Sequence, residues 1–76
     1  MTESTHTFDT RGLNCPLPII RTRKVIASLD VGEVLVVTSN DQGSLNDMDA
    51  FCAQTGNAML VSGEVDGDFV FRIRKA

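Results

Sequence analysis

The stretch Gly12-Leu13-Asn14-Cys15-Pro16-Leu17-Pro18 sets a cysteine immediately before two prolines that open a helical pattern. Proline lacks an amide hydrogen and has a φ angle near the helical value, so the first turn of a helix tolerates it and later turns do not. The spacing therefore predicts Cys15 as the N-cap of a helix, Pro16 as its first residue and Pro18 as its third.

A cysteine at the start of a helix lies beside free amide groups and the positive end of the helix dipole, which lower the pKa of its thiol. The sequence thus predicts a reactive thiolate at Cys15. The alternative is that Cys15 is a small buried hydrophobe, a common fate of free cysteines. Only the cap position argues against that alternative.

Apolar periodicity outside this stretch predicts the element order β-α-β-α-β-β. Strands are expected at residues 6–10, 34–38, 58–65 and 69–74, and helices at 16–29 and 44–55. Right-handed crossovers place both helices on one face of the sheet. We therefore predict an α/β two-layer sandwich.

Turn residues mark the ends of these elements. Ser44 followed by Asp47 resembles a capping box for the second helix, and Gly56 is suited to end it. Gly32 suits a positive φ angle after the first helix. Asp66-Gly67 predicts a tight hairpin between the last two strands.

The helical periodicity also sorts side chains into faces. In the first helix the core face is expected to hold Ile19, Thr22, Val25, Ile26 and Leu29, and in the second Leu45, Met48, Phe51 and Cys52. Leu17 and Ile20 lie on the flank of the first helix, where they form either a docking surface for a partner or part of the core.

Charge and composition restrict the function. The chain has 76 residues and a net charge of -3, which indicates one small acidic domain and gives no electrostatic footprint for general nucleic-acid binding. Two cysteines and the single histidine, His6, suggest neither a disulfide framework nor a metal site. Residues 1–5 are expected to be a flexible tail and residues 6–76 one domain. With no signal peptide or membrane segment in the sequence, a cytoplasmic location is expected.

Basic residues cluster near Cys15 in the sequence. Arg11, Arg21, Arg23 and Lys24 either form a patch that steers acidic partners or are ordinary solvated charges. Asp41, in the polar loop after the second strand, is a further candidate for partner binding, as is Arg21.

The stretch from Asp9 to Pro18 resembles the start of the TusA/SirA-like family of small sulfur-relay proteins, whose signature is an Asp and an Arg-Gly followed by Cys-Pro-x-Pro. The resemblance extends from about Phe8 to Lys75. It implies a four-stranded mixed sheet, two helices on one face and a final strand antiparallel to the others. Asn40-Asp41 stands where relatives commonly have Asp-Asp-Pro, a departure that bears on the choice of partner.

The resemblance also implies roles for individual residues. Cys15 would carry a persulfide, and Pro16 and Pro18 would fix its cap geometry. Asp9, Arg11 and Gly12 would shape the preceding turn. Arg11 would additionally interact with the anionic sulfur or with a partner carboxylate; its alternatives are a structural salt bridge with Asp9 or a solvated charge.

Partners implied by the resemblance are a cysteine desulfurase or a rhodanese-like protein as donor and a downstream relay protein as acceptor, with no cofactor. These relays feed tRNA thiolation, molybdenum-cofactor assembly or sulfur oxidation.

The residues themselves favour sulfur exchange over hydrolysis. A hydrolytic cysteine needs a base such as histidine, and His6 and Cys15 form no matched signature. Exchange at sulfur needs only an accessible thiolate. Two other functions remain open from the sequence: a redox or regulatory thiol protein, and a nucleic-acid-associated adaptor suggested by fold order alone.

Overall fold

The computed structural model describes residues 5–13 and 17–76, and these residues form one sheet packed against two helices. The elements are β1 (Thr5–Asp9), α1 (Leu17–Ala27), β2 (Val34–Ser39), α2 (Ser44–Thr55), β3 (Ala58–Val65) and β4 (Asp68–Arg74). The order matches the predicted β-α-β-α-β-β. No helix in the described part of the chain is long and apolar enough to cross a membrane.

The sheet is mixed, with strand order β1-β2-β4-β3. β1 runs parallel to β2, and β4 lies antiparallel between β2 and β3. The predicted α/β two-layer sandwich with an antiparallel final strand is therefore confirmed. Since β1 and β2 end at the same edge where β4 begins, residues distant in sequence meet there.

The core lies between this sheet and the helices. Leu35 and Val37 of β2 pair with Ile73 and Phe71 of β4, and all four side chains are fully buried. The helices complete the same cluster with Ile26, Met48, Phe51 and Cys52. The predicted core faces of both helices are confirmed, because Ile19, Val25, Leu29 and Leu45 pack against this cluster.

Several element boundaries differ from the predictions by one or two residues. β1 ends at Asp9, β2 ends at Ser39 and β4 begins at Asp68. β1 begins at Thr5, one residue before the predicted start, because Thr5 pairs with Val34, and the rest of the predicted tail lies outside the described residues. α1 ends at Ala27, before the predicted Leu29. The α-helical pattern ends there because the amides of Ser28 and Leu29 donate to carbonyls three residues back, rather than four, at 3.0 and 3.1 Å.

The predicted capping box at the start of α2 is wrong. Gly43 is the N-cap, and no side chain caps the helix. Ser44 is instead the first helical residue, and its hydroxyl donates to the Asp41 carbonyl at 2.6 Å. That hydroxyl is engaged in the preceding turn.

The predicted turns are confirmed at three places. Gly56 ends α2 with a φ of 78° and donates its amide to the Cys52 carbonyl at 2.9 Å. Gly32 has a φ of 89°. Asp66 and Gly67 both have positive φ angles, 51° and 85°, as a tight hairpin turn between twisted strands requires.

β3 departs from simple alternation. A register shift lies between Met59, which pairs with Ile73, and Val61, which pairs with Arg72. Met59 packs against the core, whereas Val61 is 50% exposed. An extra residue at this point moves Val61 to the outer face of the sheet.

Candidate functional site

The turn that leads to the cysteine is attached to the end of β2. Thr10, fully buried, donates both its backbone amide and its Oγ1 to the Thr38 carbonyl, each at 2.7 Å. The amide of Leu13 then donates to the Thr10 carbonyl at 3.1 Å, which closes the turn. The chain therefore leaves β1 in a direction fixed by β2.

A second attachment lies two residues further on. The amide of Gly12 donates to Oδ1 of Asn40 at 3.0 Å. Gly12 has a φ of 89°, a conformation that glycine adopts without the cost of a β-carbon. The loops after β1 and β2 thus lie side by side.

A charged cluster lies at the same edge of the sheet. The Arg11 guanidinium contacts the Asp9 carboxylate through Nε, 3.0 Å from Oδ1, and through Nη2, 2.9 Å from Oδ2. The Arg11 amide also donates to Asp9 Oδ1 at 2.9 Å. On its other side the guanidinium lies 3.4 Å from Oδ2 of Asp68, at the start of β4.

These contacts set the charge of the cluster. Hydrogen bonds from the Arg11 side chain and amide lower the pKa of Asp9. The hydrogen bond to Asp9, together with the charges of Asp9 and Asp68, raises the pKa of Arg11. The guanidinium is therefore a fixed cation between two carboxylates, in the geometry of a structural salt bridge.

The cysteine itself, Cys15, and the neighbouring Pro16 lie outside the described residues. The predicted N-cap and first helical residue are therefore interpretations from the sequence alone. Pro18 belongs to the first turn of α1 and is buried.

The remaining predicted site residues lie on α1 and in the loop after β2. Leu17 and Ile20 are 40% and 47% exposed, which excludes the core interpretation for both and leaves docking as a prediction. Arg21 is exposed on the same helix. The Asp41 amide donates to Ser39 Oγ and Asp41 Oδ1 accepts from the Gly43 amide, so this carboxylate shapes its own loop.

The second cysteine, Cys52, is in a different environment. It is 6% exposed within α2 and belongs to the core cluster. Burial, and to a smaller extent the negative charge of Asp49, raises the pKa of its thiol. Cys52 is therefore a core side chain, as the periodicity of α2 predicts.

Two residues of this edge were not singled out from the sequence. Thr10 follows β1 and bonds to Thr38, whereas Asp68 begins β4 and contacts Arg11 across 57 positions of sequence. No short-range pattern signals such a pair; only correct strand order brings it together. The position of Asn40 in the polar loop after β2 was the sequence feature that could have identified it.

In the described ranges, 5–13 and 17–76, no group of three or more histidine, cysteine or acidic side chains is arranged to hold a metal ion.

The described residues form a small two-layer α/β protein, and a solved structure places this fold in the SirA-like class. The crystal structure of the SirA-like protein from Desulfitobacterium hafniense superimposes with a TM-score of 0.82 at 28% sequence identity, covering 91% of this chain and 95% of that one. Residues 6–75 match the family described as Sulfurtransferase TusA, so the chain belongs to the TusA family, as the sequence motif indicated.

Curated relatives have the same family name. The Sulfur carrier protein TusA of Allochromatium vinosum is 48% identical over 69 residues, which cover 91% of each chain. The Sulfur carrier protein TusA of Pseudomonas entomophila is 36% identical over 77 residues, covering 99% of this chain and 96% of that one. The similarity therefore extends over nearly the full length of both proteins.

Proposed function

We propose that this protein is a sulfur carrier that holds sulfane sulfur as a persulfide on Cys15. Membership of the TusA family carries the proposal: a relative 48% identical over 91% of both chains is named a sulfur carrier protein. The chain would act with partner enzymes, in the cytoplasm, and would need no cofactor.

The environment of Cys52 supports the assignment to Cys15. The chain has two cysteines, and a carrier must present a thiolate to a second protein. Cys52 is buried, and its raised thiol pKa keeps it protonated near neutral pH. Cys15, in the Cys-Pro-x-Pro motif, is the other thiol and the one we assign.

The proposed transfer is an exchange at sulfur. The Cys15 thiolate attacks the outer sulfur of a donor Cys–S–SH, and a new S–S bond forms as the donor's S–S bond breaks. The donor cysteine leaves as a thiolate, and Cys15 becomes a persulfide with no net oxidation. Attack by an acceptor thiolate on the outer sulfur repeats the exchange. Neither step needs the general base that hydrolysis requires.

The described residues around Cys15 suit such a transfer. The turn before it is attached to β2 through Thr10 and Gly12, and the ion pair of Asp9 with Arg11 stiffens the same edge. Gly12 supplies the positive φ that the turn uses. We assign Pro16 and Pro18, by likeness to the family motif, the role of fixing the start of α1.

Docking of partners is proposed for the exposed start of α1. Leu17 and Ile20 place apolar surface two and five positions after Cys15, with Arg21 beside them. A donor of the cysteine desulfurase or rhodanese type and a downstream acceptor protein would dock here in turn. Asp41, in the loop that also contains Asn40, would contribute to partner choice.

A competition between sulfur transfer and oxidation tests the function. The protein, with Cys52→Ala to leave one thiol, is treated either with a protein persulfide donor or with an equal concentration of hydrogen peroxide. We expect persulfide to form faster than any stable oxidised product, and neither to form in the Cys15→Ala variant. Faster accumulation of a sulfenic acid or its disulfide would instead identify a redox or regulatory thiol.

A further inference from the structure

Asn40, in the loop between β2 and α2, bonds to the turn before Cys15. Its Oδ1 accepts from the Gly12 amide at 3.0 Å, across 28 positions of sequence. The residue itself is exposed, so this contact is not a by-product of core packing.

The contact completes a short ladder between two loops. Thr10 donates twice to the Thr38 carbonyl, and Gly12 donates to Asn40 two residues beyond Thr38. The first attachment continues the pairing of β1 with β2. The second depends on a side chain and comes three residues before Cys15. Asn40 therefore holds the last long-range attachment described before the cysteine.

Holding the Gly12 amide restricts the direction in which the chain continues. Gly12 has access to more backbone conformations than any other residue type, and an unattached glycine here would sample several of them. A fixed direction matters for a thiolate whose reactivity depends on its surroundings and on alignment with the bond it attacks.

We propose that Asn40 is a positioning residue for Cys15, acting through the Gly12 amide. The inference rests on the proposed function, because it takes Cys15 as the reacting thiol. Asn40 itself touches no reacting atom. Its side-chain oxygen keeps the turn in the conformation in which the Cys15 thiol is most reactive.

The test measures the reactivity of Cys15 without sulfur transfer. In a Cys52→Ala background, the rate of alkylation by iodoacetamide, in which the thiolate displaces iodide, is measured from pH 5 to pH 10. Asn40→Leu removes the acceptor at similar volume. Gln54→Leu, which replaces an exposed amide side chain near the end of α2, is the matched control. Thermal melting of each variant verifies that it is folded.

We expect Asn40→Leu to react several-fold more slowly at pH 7, with the midpoint of its pH profile moved upward, while Gln54→Leu follows the parent. A profile for Asn40→Leu that superimposes on the parent overturns the proposal. That result would not affect the proposed carrier function, because the carrier function is tested separately by persulfide formation. Conversely, failure to form a persulfide would not alter the alkylation profiles.

A second measurement, hydrogen exchange of the Gly12 amide, tests the hydrogen bond between Gly12 and Asn40. Asn40→Asp retains an oxygen acceptor, so the Gly12 amide should exchange with solvent as slowly as in the parent, whereas in Asn40→Leu it should exchange faster. Equal exchange in the parent and Asn40→Leu, or equal loss of protection in both variants, overturns the role of the side-chain oxygen.

Discussion

Thr10 donates twice to the same atom: its backbone amide and its Oγ1 each lie 2.7 Å from the carbonyl oxygen of Thr38. Thr10 is fully buried and comes directly after β1. The pair fixes the chain at the point where it leaves the sheet toward Cys15. These two hydrogen bonds therefore stabilise the turn that precedes Cys15.

Replacing Thr10 by valine should destabilise the protein. Valine has nearly the same shape but no hydroxyl, and the loss of one such hydrogen bond costs about 1 kcal/mol. The Thr38 carbonyl keeps its bond to the amide of residue 10, so the cost should not exceed that range. Urea unfolding measures the difference; an unchanged midpoint would show that the hydroxyl contributes nothing.

The same substitution at Thr22 should have the opposite effect. Thr22 is fully buried in α1, and its Oγ1 has no hydrogen-bond partner among the described residues. Thr22→Val removes an unsatisfied polar atom, which costs roughly 1–3 kcal/mol when buried, so the free energy of unfolding should stay equal or rise. A clear loss of stability in the same urea experiment would contradict this.

Removing the guanidinium should change the titration of its partner. In Arg11→Gln the pKa of Asp9 should rise toward the ordinary aspartate value, because the side-chain hydrogen bonds that lower it are lost. The shift is measured by following the Asp9 carboxyl by NMR between pH 2 and pH 6. An unchanged Asp9 titration would contradict the ion pair.

The sign of the linked stability follows from that shift. A carboxylate whose pKa is lowered in the folded state stabilises the fold above its unfolded pKa, about 3.9 for aspartate, and loses that contribution as the pH falls through the folded pKa. Any advantage of wild type over Arg11→Gln should therefore disappear at the acid end. The pair is exposed, at 53% and 55%, so the advantage should be small.

Cys52 should resist thiol reagents in the native protein. Its raised pKa and burial predict slow modification up to alkaline pH, and fast modification once denaturant unfolds the chain. The raised folded-state pKa contributes stability below the ordinary thiol pKa that is lost as the pH rises through the folded value. Counting reactive thiols with and without denaturant measures this; rapid native modification of Cys52 would contradict it.

Local sequence signals predicted most of the sheet. The β-branched run at Val34–Ser39, the alternation of Phe69, Phe71 and Ile73, and the Asp66-Gly67 turn each act over a few residues, so short-range physics sets them. The mixed topology came from the family resemblance, since periodicity does not reveal strand direction.

One prediction was wrong, and two features were not predicted, where distant or competing partners determine the structure. Ser44 matched a capping pattern, but its hydroxyl bonds to the Asp41 carbonyl instead. The irregularity after Met59 depends on pairing with β4, and Asp68 reaches Arg11 only because β4 begins where β1 ends. Sequence patterns that span only a few residues do not predict such contacts between distant strands.

Whether Cys15 carries the persulfide is measured directly by the intact mass of the protein after incubation with cysteine and a cysteine desulfurase, with and without reductant. Wild type, Cys15→Ala and Cys52→Ala are compared. We expect a reducible gain of one sulfur atom in wild type and Cys52→Ala and none in Cys15→Ala. A gain that persists in Cys15→Ala, or no gain in any form with either a desulfurase or a rhodanese donor, would contradict it.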